Sequence, residues 1–312
     1  MTEESPRVID KTTAEAFVME RDGLLKGLTQ EQQSAARELQ TALPDWRRGI
    51  GGLGSKFISL STALRERFKQ SAFLDINKLV VVDFALRLTE TIAQRNIPDE
   101  VLALYPAKVS QLLAYLRNLS DHEYNFAHDD FVKDVRFASG LSVPCGAAQV
   151  VDLSSILGYK TSARLLFCNP LTRYVRSILR SGGIGPWFQI HTDSRSLNDF
   201  DEPGWDACYM RIAALLRVHP EILGTAGRAW FYDPVLETVS PRLTYLRQRP
   251  VERGAFMLWS GTTDIDIRNA TAKSANRRCL YEAGKYTPVS YILLWPRERL
   301  IAWADSQREK RP

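Results

Sequence analysis

The hydrophobic period changes near residue 130, and this change constrains the fold more than any other feature of the sequence. Before it, apolar residues recur at helical spacing. Leu104, Val109, Leu112, Leu113, Leu116 and Leu119 fall three to four apart within Asp99–Leu119, and Leu79–Ala93 reads as a buried helix. Thr29 followed by Gln32 has the form of a helix start, a threonine cap with a reciprocating Gln three residues on. After it, short β-like runs alternate with helix-like segments. The runs are Val135–Val143, Gln149–Leu153, Trp187–His191, Arg228–Tyr232, Phe256–Trp259 and Ser290–Trp295. The segments between and after them are Ala163–Arg180, Trp205–Val218, Pro241–Arg253, Thr271–Ala283 and Arg297–Asp305, with Gly254 and Gly284 at expected helix stops. The pattern predicts an α/β (α+β) chain: a mainly helical N-terminal region over 1–125, then a mixed sheet flanked by helices over 126–312.

Composition narrows the class without naming a function. Hydrophobic residues make up 45% of the 312 and charged residues 25%, the balance of a globular protein. The longest apolar runs are too short to cross a bilayer, so no membrane span is expected. The start, MTEESPRVIDK, lacks the form of a secretory signal, and four scattered cysteines make no disulfide framework, so a reducing cytoplasm is the expected location. The net charge of +5 is too small and too dispersed to imply nucleic acid. The 41 basic residues divide into 11 Lys and 30 Arg, and guanidinium groups suit carboxylate and phosphate partners.

Several strings have the outline of chemical motifs. Gly49-x-Gly51-x-x-Gly54 matches the dinucleotide fingerprint but lacks the preceding strand, so a connection between helices is expected. Arg180-x-x-Gly183-x-Gly185 matches the acyl-CoA pyrophosphate loop of the GNAT acyltransferases, but it follows a helix-like segment and precedes a strand, the reverse of the order that phosphate binding needs. His191 and Asp193 would share one face of a strand and, with His219, supply an iron site, with Arg228 gripping a 2-oxoglutarate-type carboxylate. The plainer reading is a His–Asp hydrogen bond at a strand end. Cys145 would be a nucleophile with His191 and Asp193, but a buried, inert cysteine is the favoured reading; His122 and His128 with Asp129-Asp130 are metal-capable by type, and a polar connection explains them as well. Tyr232 and Asp233 lie where a strand ends, the edge at which α/β folds bind ligands.

Asn269 to Tyr286, NATAKSANRRCLYEAGKY, is similar to the late helix and following strand of the GNAT acyltransferases, and Ser290–Trp295 follows as that family's last strands do. The resemblance covers roughly residues 225–296. It implies a splayed sheet that admits the pantetheine arm of an acyl thioester between two strands, with Tyr281 as general acid for the departing thiolate and Asn269 opening the late helix. The family's glycine-rich loop is expected between Arg228–Tyr232 and Pro241, where this sequence has no glycine. If acyl-CoA binds, Arg242, Arg247, Arg277 and Arg278 must replace those amides.

The expected function is transfer of an acyl group from acyl-CoA or an acyl-carrier protein to an amine or hydroxyl of a small molecule. Tyr281 would be the acid, and Tyr232, Asp233, His191 or Asp193 would supply base or acceptor contacts. An acidic carrier protein would suit the arginine-rich surface, and no metal is required. The alternatives are a non-haem Fe(II)/2-oxoglutarate-type oxygenase built on His191, Asp193 and His219, and a catalytically silent binding protein.

Overall fold

The structure, a computed structural model, describes residues 8–43, 53–120, 123–153, 165–180, 182–183 and 185–309. It is a mixed α/β fold with a multi-stranded sheet, flanking helices and an N-terminal helical region. Two compact units divide the chain: Met1–Ser154 with Thr192–Asn198, and Ser155–His191 with Asp199–Pro312. Among the described residues, no helix is long and apolar enough to cross a membrane.

The first unit holds α1 (Lys11–Gly27), α2 (Gln30–Ala42), α3 (Ser55–Arg67), α4 (Gln70–Leu86), α5 (Leu88–Ala93), α6 (Asp99–Leu102), α7 (Tyr105–Asn118) and α8 (Asp129–Ala138). A hairpin of β1 (Ser142–Pro144) and β2 (Gln149–Asp152) follows, in register Val143↔Val151. Helix α4 is its centre. Leu79, Val80, Val81 and Val82 are all buried, so the helix is apolar around its whole circumference, as a core helix must be. Helices α1, α2, α3 and α8 pack around it. Each such fully buried aliphatic side chain contributes roughly 1.5–3 kcal/mol. The polar Asn77 is tolerated there because its amide donates to the Tyr124 carbonyl at 3.0 Å. The expected start at Thr29 is a complete capping box, the Thr29 hydroxyl accepting from the Gln32 amide and the Gln32 side chain accepting from the Thr29 amide.

One strand expectation fails in this unit. Residues 135–138 are the end of α8, not a strand, and only Ser142–Pro144 is extended. The compact unit also runs past residue 125 to 154, because α8 packs on α4 and β1 packs on α8. A buried Arg136–Asp152 ion pair at 2.9 Å ties the hairpin to α8.

The second unit holds α9 (Leu171–Arg180), β3 (Phe188–Thr192), α10 (Glu202–Val218), β4 (Gly224–Ala229), α11 (Leu236–Val239), α12 (Tyr245–Glu252), β5 (Phe256–Gly261), α13 (Asp264–Ala272), α14 (Ala275–Glu282), β6 (Ser290–Pro296) and α15 (Arg297–Arg308). Its strands lie in the order β3-β4-β6-β5. Strand β3 is parallel to β4, with α10 as the crossover; β6 is antiparallel to both neighbours. Trp187, Ala226, Leu258, Ile292 and Leu294 form the core with Tyr174 and Ile178 of α9. The expected strand Arg228–Tyr232 begins earlier, at Gly224, and residues 230–232 are a 3₁₀ turn. The expected helix Thr271–Ala283 is two helices, α13 and α14, broken at Lys273-Ser274.

Candidate functional site

In the second unit's parallel pair the paired register stops short of the strand ends. Its register covers Phe188↔Thr225, Gln189↔Ala226 and Ile190↔Gly227, while the strands run on to Thr192 and Ala229. The chain leaving β4 at that end forms the 3₁₀ turn Trp230–Tyr232 and delivers Asp233. Phe231 and Trp205 meet edge to face, which anchors the turn against α10.

Asp233 is nearly buried. Its Oδ1 accepts from the Val235 amide at 3.1 Å and its Oδ2 from the Val289 amide at 3.2 Å. Burial raises its pKa above the usual carboxylate value, and the two amides and Arg247 only partly offset this. Tyr286 lies in the same neighbourhood. Burial, then the Asp233 charge, pushes its hydroxyl up to about 12, and that buried hydroxyl has no hydrogen-bond partner among the described residues. Tyr232 is also fully buried, its hydroxyl against the Cα of Gly227, and burial raises its pKa. Tyr281, on α14, is 36% exposed.

The arginines expected to bind phosphate are engaged in the fold. Arg277 is buried: its Nε donates to the Ala270 carbonyl at 2.6 Å, an Nη to Ser240 at 2.9 Å, and its guanidinium lies 4.7 Å from the Trp230 ring centroid. Arg278 donates to the Thr271 and Ala272 carbonyls. Both therefore cap the C-terminal end of α13, where carbonyls lack partners. Arg242 is exposed in a 3₁₀ turn, and Arg247 pairs with Glu237. Asn269 is an exposed residue inside α13 and opens no helix; Thr263 caps α13 and Ser274 caps α14.

The first unit contains a separate cavity of about 260 Å³ lined by Lys108, Tyr115, Asp134, Phe137, Asp193 and Arg195, among others. Lys108 reaches it from α7, Asp134 from α8, and Asp193 and Arg195 from the segment Thr192–Asn198. Arg195 bridges two carboxylates. It bonds both oxygens of Asp134 at 2.7 and 2.9 Å, and Asp193 through Nε at 3.0 Å. Lys108 completes the chain at 2.8 Å from Asp193, and Tyr124 donates to Asp134 at 2.8 Å. The Arg195 guanidinium also lies 4.2 Å from the centroid of the Tyr115 ring, a cation–π contact.

The two carboxylates shift in opposite directions. Burial raises Asp193, but Arg195 and Lys108 outweigh it and hold the group well below the usual range. Burial also raises Asp134, and there the nearby Arg195 does not cancel it. The Lys108 ammonium uses its three donors on Asp193, Gln111 and the Ala147 carbonyl. The cluster is thus internally compensated and clamps Thr192–Asn198 to α7 and α8.

The residues proposed for iron are engaged elsewhere. Both Asp193 oxygens meet cations. His219 ends α10, its Nδ1 lies 3.2 Å from Glu221, and its ring meets Phe188 edge to face. His191 is a half-buried β3 residue of the second unit, whereas Asp193 belongs to the first. Arg228 makes a two-pronged pair with Asp266 at 2.7 and 3.0 Å. Among the described residues, no three His, Cys, Asp or Glu side chains gather as a metal site requires. His128 caps α8, its Nδ1 accepting from the Asp130 amide, while His122 lies outside the described residues. Cys145 is fully buried. The amides of Gly182 and Gly183 in the Arg180–Gly185 string bond the Leu179 and Ile178 carbonyls, so this string stops α9. Residues 49–52 of the glycine-rich string lie outside the described residues, and Gly54 precedes α3 at φ 81°.

Lys108, Asp134, Arg195 and Tyr286 have no place among the sequence expectations. Two of them carry a readable signal. Lys108 falls on the stripe of Tyr105, Val109 and Leu112, and Asp134 on that of Phe131, Val135 and Ala138. A charge in the register of a buried stripe needs a partner. Comparison with protein-family models, with curated proteins and with solved structures gives no match.

Proposed function

We propose that the second unit is a GNAT-like acyltransferase that takes its acyl group from a thioester and passes it to an amine or hydroxyl. The carrying observation is the parallel β3–α10–β4 pair, whose register stops at Ile190↔Gly227 and whose β4 leads through a 3₁₀ turn to Asp233. A pairing that stops short of the strand ends suits a thin pantetheine arm between two strands, at the edge where α/β folds bind ligands. Asp233, with its raised pKa, accepts the proton of the attacking amine or hydroxyl. The new bond forms at the thioester carbonyl, the C–S bond breaks, and Tyr281 gives the thiolate its proton.

The donor favoured is a thioester on an acidic carrier protein. In the resembled family, the phosphate-binding loop follows a strand and opens a helix. Here neither the stretch from β4 to Pro241, where that loop is expected, nor DSRSLNDFD, residues 193–201, which follows β3 and opens α10, contains glycine. The Asp201 carboxylate already accepts from the Gly204 amide at the N-terminal end of α10, and a carboxylate there repels pyrophosphate. Acyl-CoA and acyl-carrier thioesters, each offered with a panel of amines and alcohols, give the test by thiol release. Release is expected with the carrier thioester, falling roughly a hundred- to ten-thousand-fold in Asp233→Asn or Tyr281→Phe. No release with any thioester, or release unchanged in both variants, overturns the proposal.

A further inference from the structure

Helix α9 has two apolar flanks, and only one is used by the core. Tyr174 and Ile178 are buried against Trp187 and Leu165. Beside them a second row recurs every four residues, continuing back into the helical turn at 165–168: Phe167, Leu171, Val175 and Leu179. Their exposures are 88%, 62%, 41% and 74%. Spacing of four residues places successive side chains on one helical stripe. Single exposed apolar residues are ordinary; three on one stripe of α9, Leu171, Val175 and Leu179, with Phe167 exposed in the turn just before the break at Asn169-Pro170, are not.

The charge around this row has one sign. Between Asp152 and Asp193 the sequence contains no acidic residue and five cations, Lys160, Arg164, Arg173, Arg176 and Arg180. Arg176 and Arg180 are exposed on α9, and neither forms an ion pair among the described residues. Elsewhere the chain pairs arginines readily, as Arg195, Arg228 and Arg249 show.

We propose that this flank of α9 docks on an anionic lipid surface, with the apolar row entering the headgroup boundary and Arg176 and Arg180 contacting lipid phosphates. Basic residues beside a row of Phe and Leu are the pattern of an in-plane interfacial helix. Side chains 62–88% exposed form a ridge, which a fluid interface accepts without a preformed groove. A second copy of this ridge is a poor occupant, because it would bring Arg176 and Arg180 of both copies together, and residues 153–192 carry no acid to pair with them. The surface lies apart from the thioester site and does not depend on that reading.

The test is flotation of the full chain with vesicles of phosphatidylcholine alone and of phosphatidylcholine mixed with phosphatidylglycerol. Binding is expected only to the mixed vesicles and weakens as salt is added. Arg176→Gln/Arg180→Gln lowers it roughly 25-fold, about five-fold per guanidinium lost. Phe167→Ser/Leu179→Ser lowers it at least roughly tenfold. Circular dichroism and melting temperature should match the native chain, since all four side chains are exposed. Failure of the native chain to float with the mixed vesicles, or flotation of both variants like the native chain, overturns the proposal. So does a native dimer that Phe167→Ser/Leu179→Ser splits, since the ridge would then be a contact between copies.

Discussion

Arg195 holds two carboxylates that both precede it, Asp134 by 61 residues and Asp193 by two. Removing it leaves two buried carboxylates with Lys108 as their remaining cation. Arg195→Met is therefore expected to lose about 3–5 kcal/mol at pH 7, measured by urea unfolding, because an uncompensated buried charge costs more than the pair contributes. The pH dependence has a definite sign. Asp134 is already raised by burial, and loss of the guanidinium raises it further. A folded-state pKa above the unfolded one means that the folded state binds the proton more tightly, so stability rises as pH falls through that folded pKa. Asp193 works in the opposite direction. Its lowered pKa contributes stability above the unfolded carboxylate value that is lost as pH falls below it, and without Arg195 that contribution shrinks. The variant should thus recover part of its loss as pH falls from 7 toward the carboxylate range, and by more than the native chain gains. A variant with the same pH profile as the native chain would contradict this assignment. Of this cluster only Asp193 was legible beforehand, from its two-residue offset to His191. Its partner Lys108 arrives from 85 residues away, and no local pattern pairs a lysine on α7 with an aspartate beyond β3.

At the scale of elements, β4 was misplaced for a physical reason. Its sequence, GTAGRA, has two glycines and little β-propensity, so the aromatic run after it reads as the strand. The glycines are there because other groups occupy the space of a side chain. At Gly224, with φ at 153°, a Cβ would collide with the Trp295 carbonyl and the Trp187 ring. At Gly227 a Cβ would stand 2.7 Å from the Tyr232 hydroxyl but 3.4 Å or more from its ring. Gly227→Ala should therefore destabilise by about 1–3 kcal/mol through overpacking. Tyr232→Phe should cost less in the Gly227→Ala background than in the native one, because it removes the colliding atom. A double-mutant cycle by chemical denaturation reads this directly, and additive effects would show that the hydroxyl is not the obstacle. The helices were more legible than this strand. Thr29 with Gln32 and the apolar spacing of α7 and α4 are local signals, whereas the end of α8, VRFA, is β-branched and aromatic and resembles a strand until the capping His128 and acidic first turn are weighed.

At the scale of the molecule, the first compact unit runs to residue 154 and also takes in a seven-residue segment of later sequence, Thr192–Asn198. A boundary read along a chain cannot register such a return, since the ties are Lys108–Asp193 and Asp134–Arg195 and not a stretch of linker. This yields a test in which the sign of one substitution pair reverses. In the full chain, Lys108→Met/Asp134→Asn removes two compensated charges and strands Asp193 and Arg195 with fewer partners, so it should destabilise. In a fragment ending at residue 154, Asp193 and Arg195 are absent, and Lys108 and Asp134 are the stranded groups, each without its main counter-charge. The same two substitutions should then stabilise the fragment, because a neutral side chain replaces a charge that has lost its counter-charge. Thermal unfolding of four proteins, full chain and fragment with and without the substitutions, decides it. Destabilisation in both contexts would mean that Lys108 and Asp134 serve the first unit without the returning segment, and that Thr192–Asn198 is not what they are there to hold.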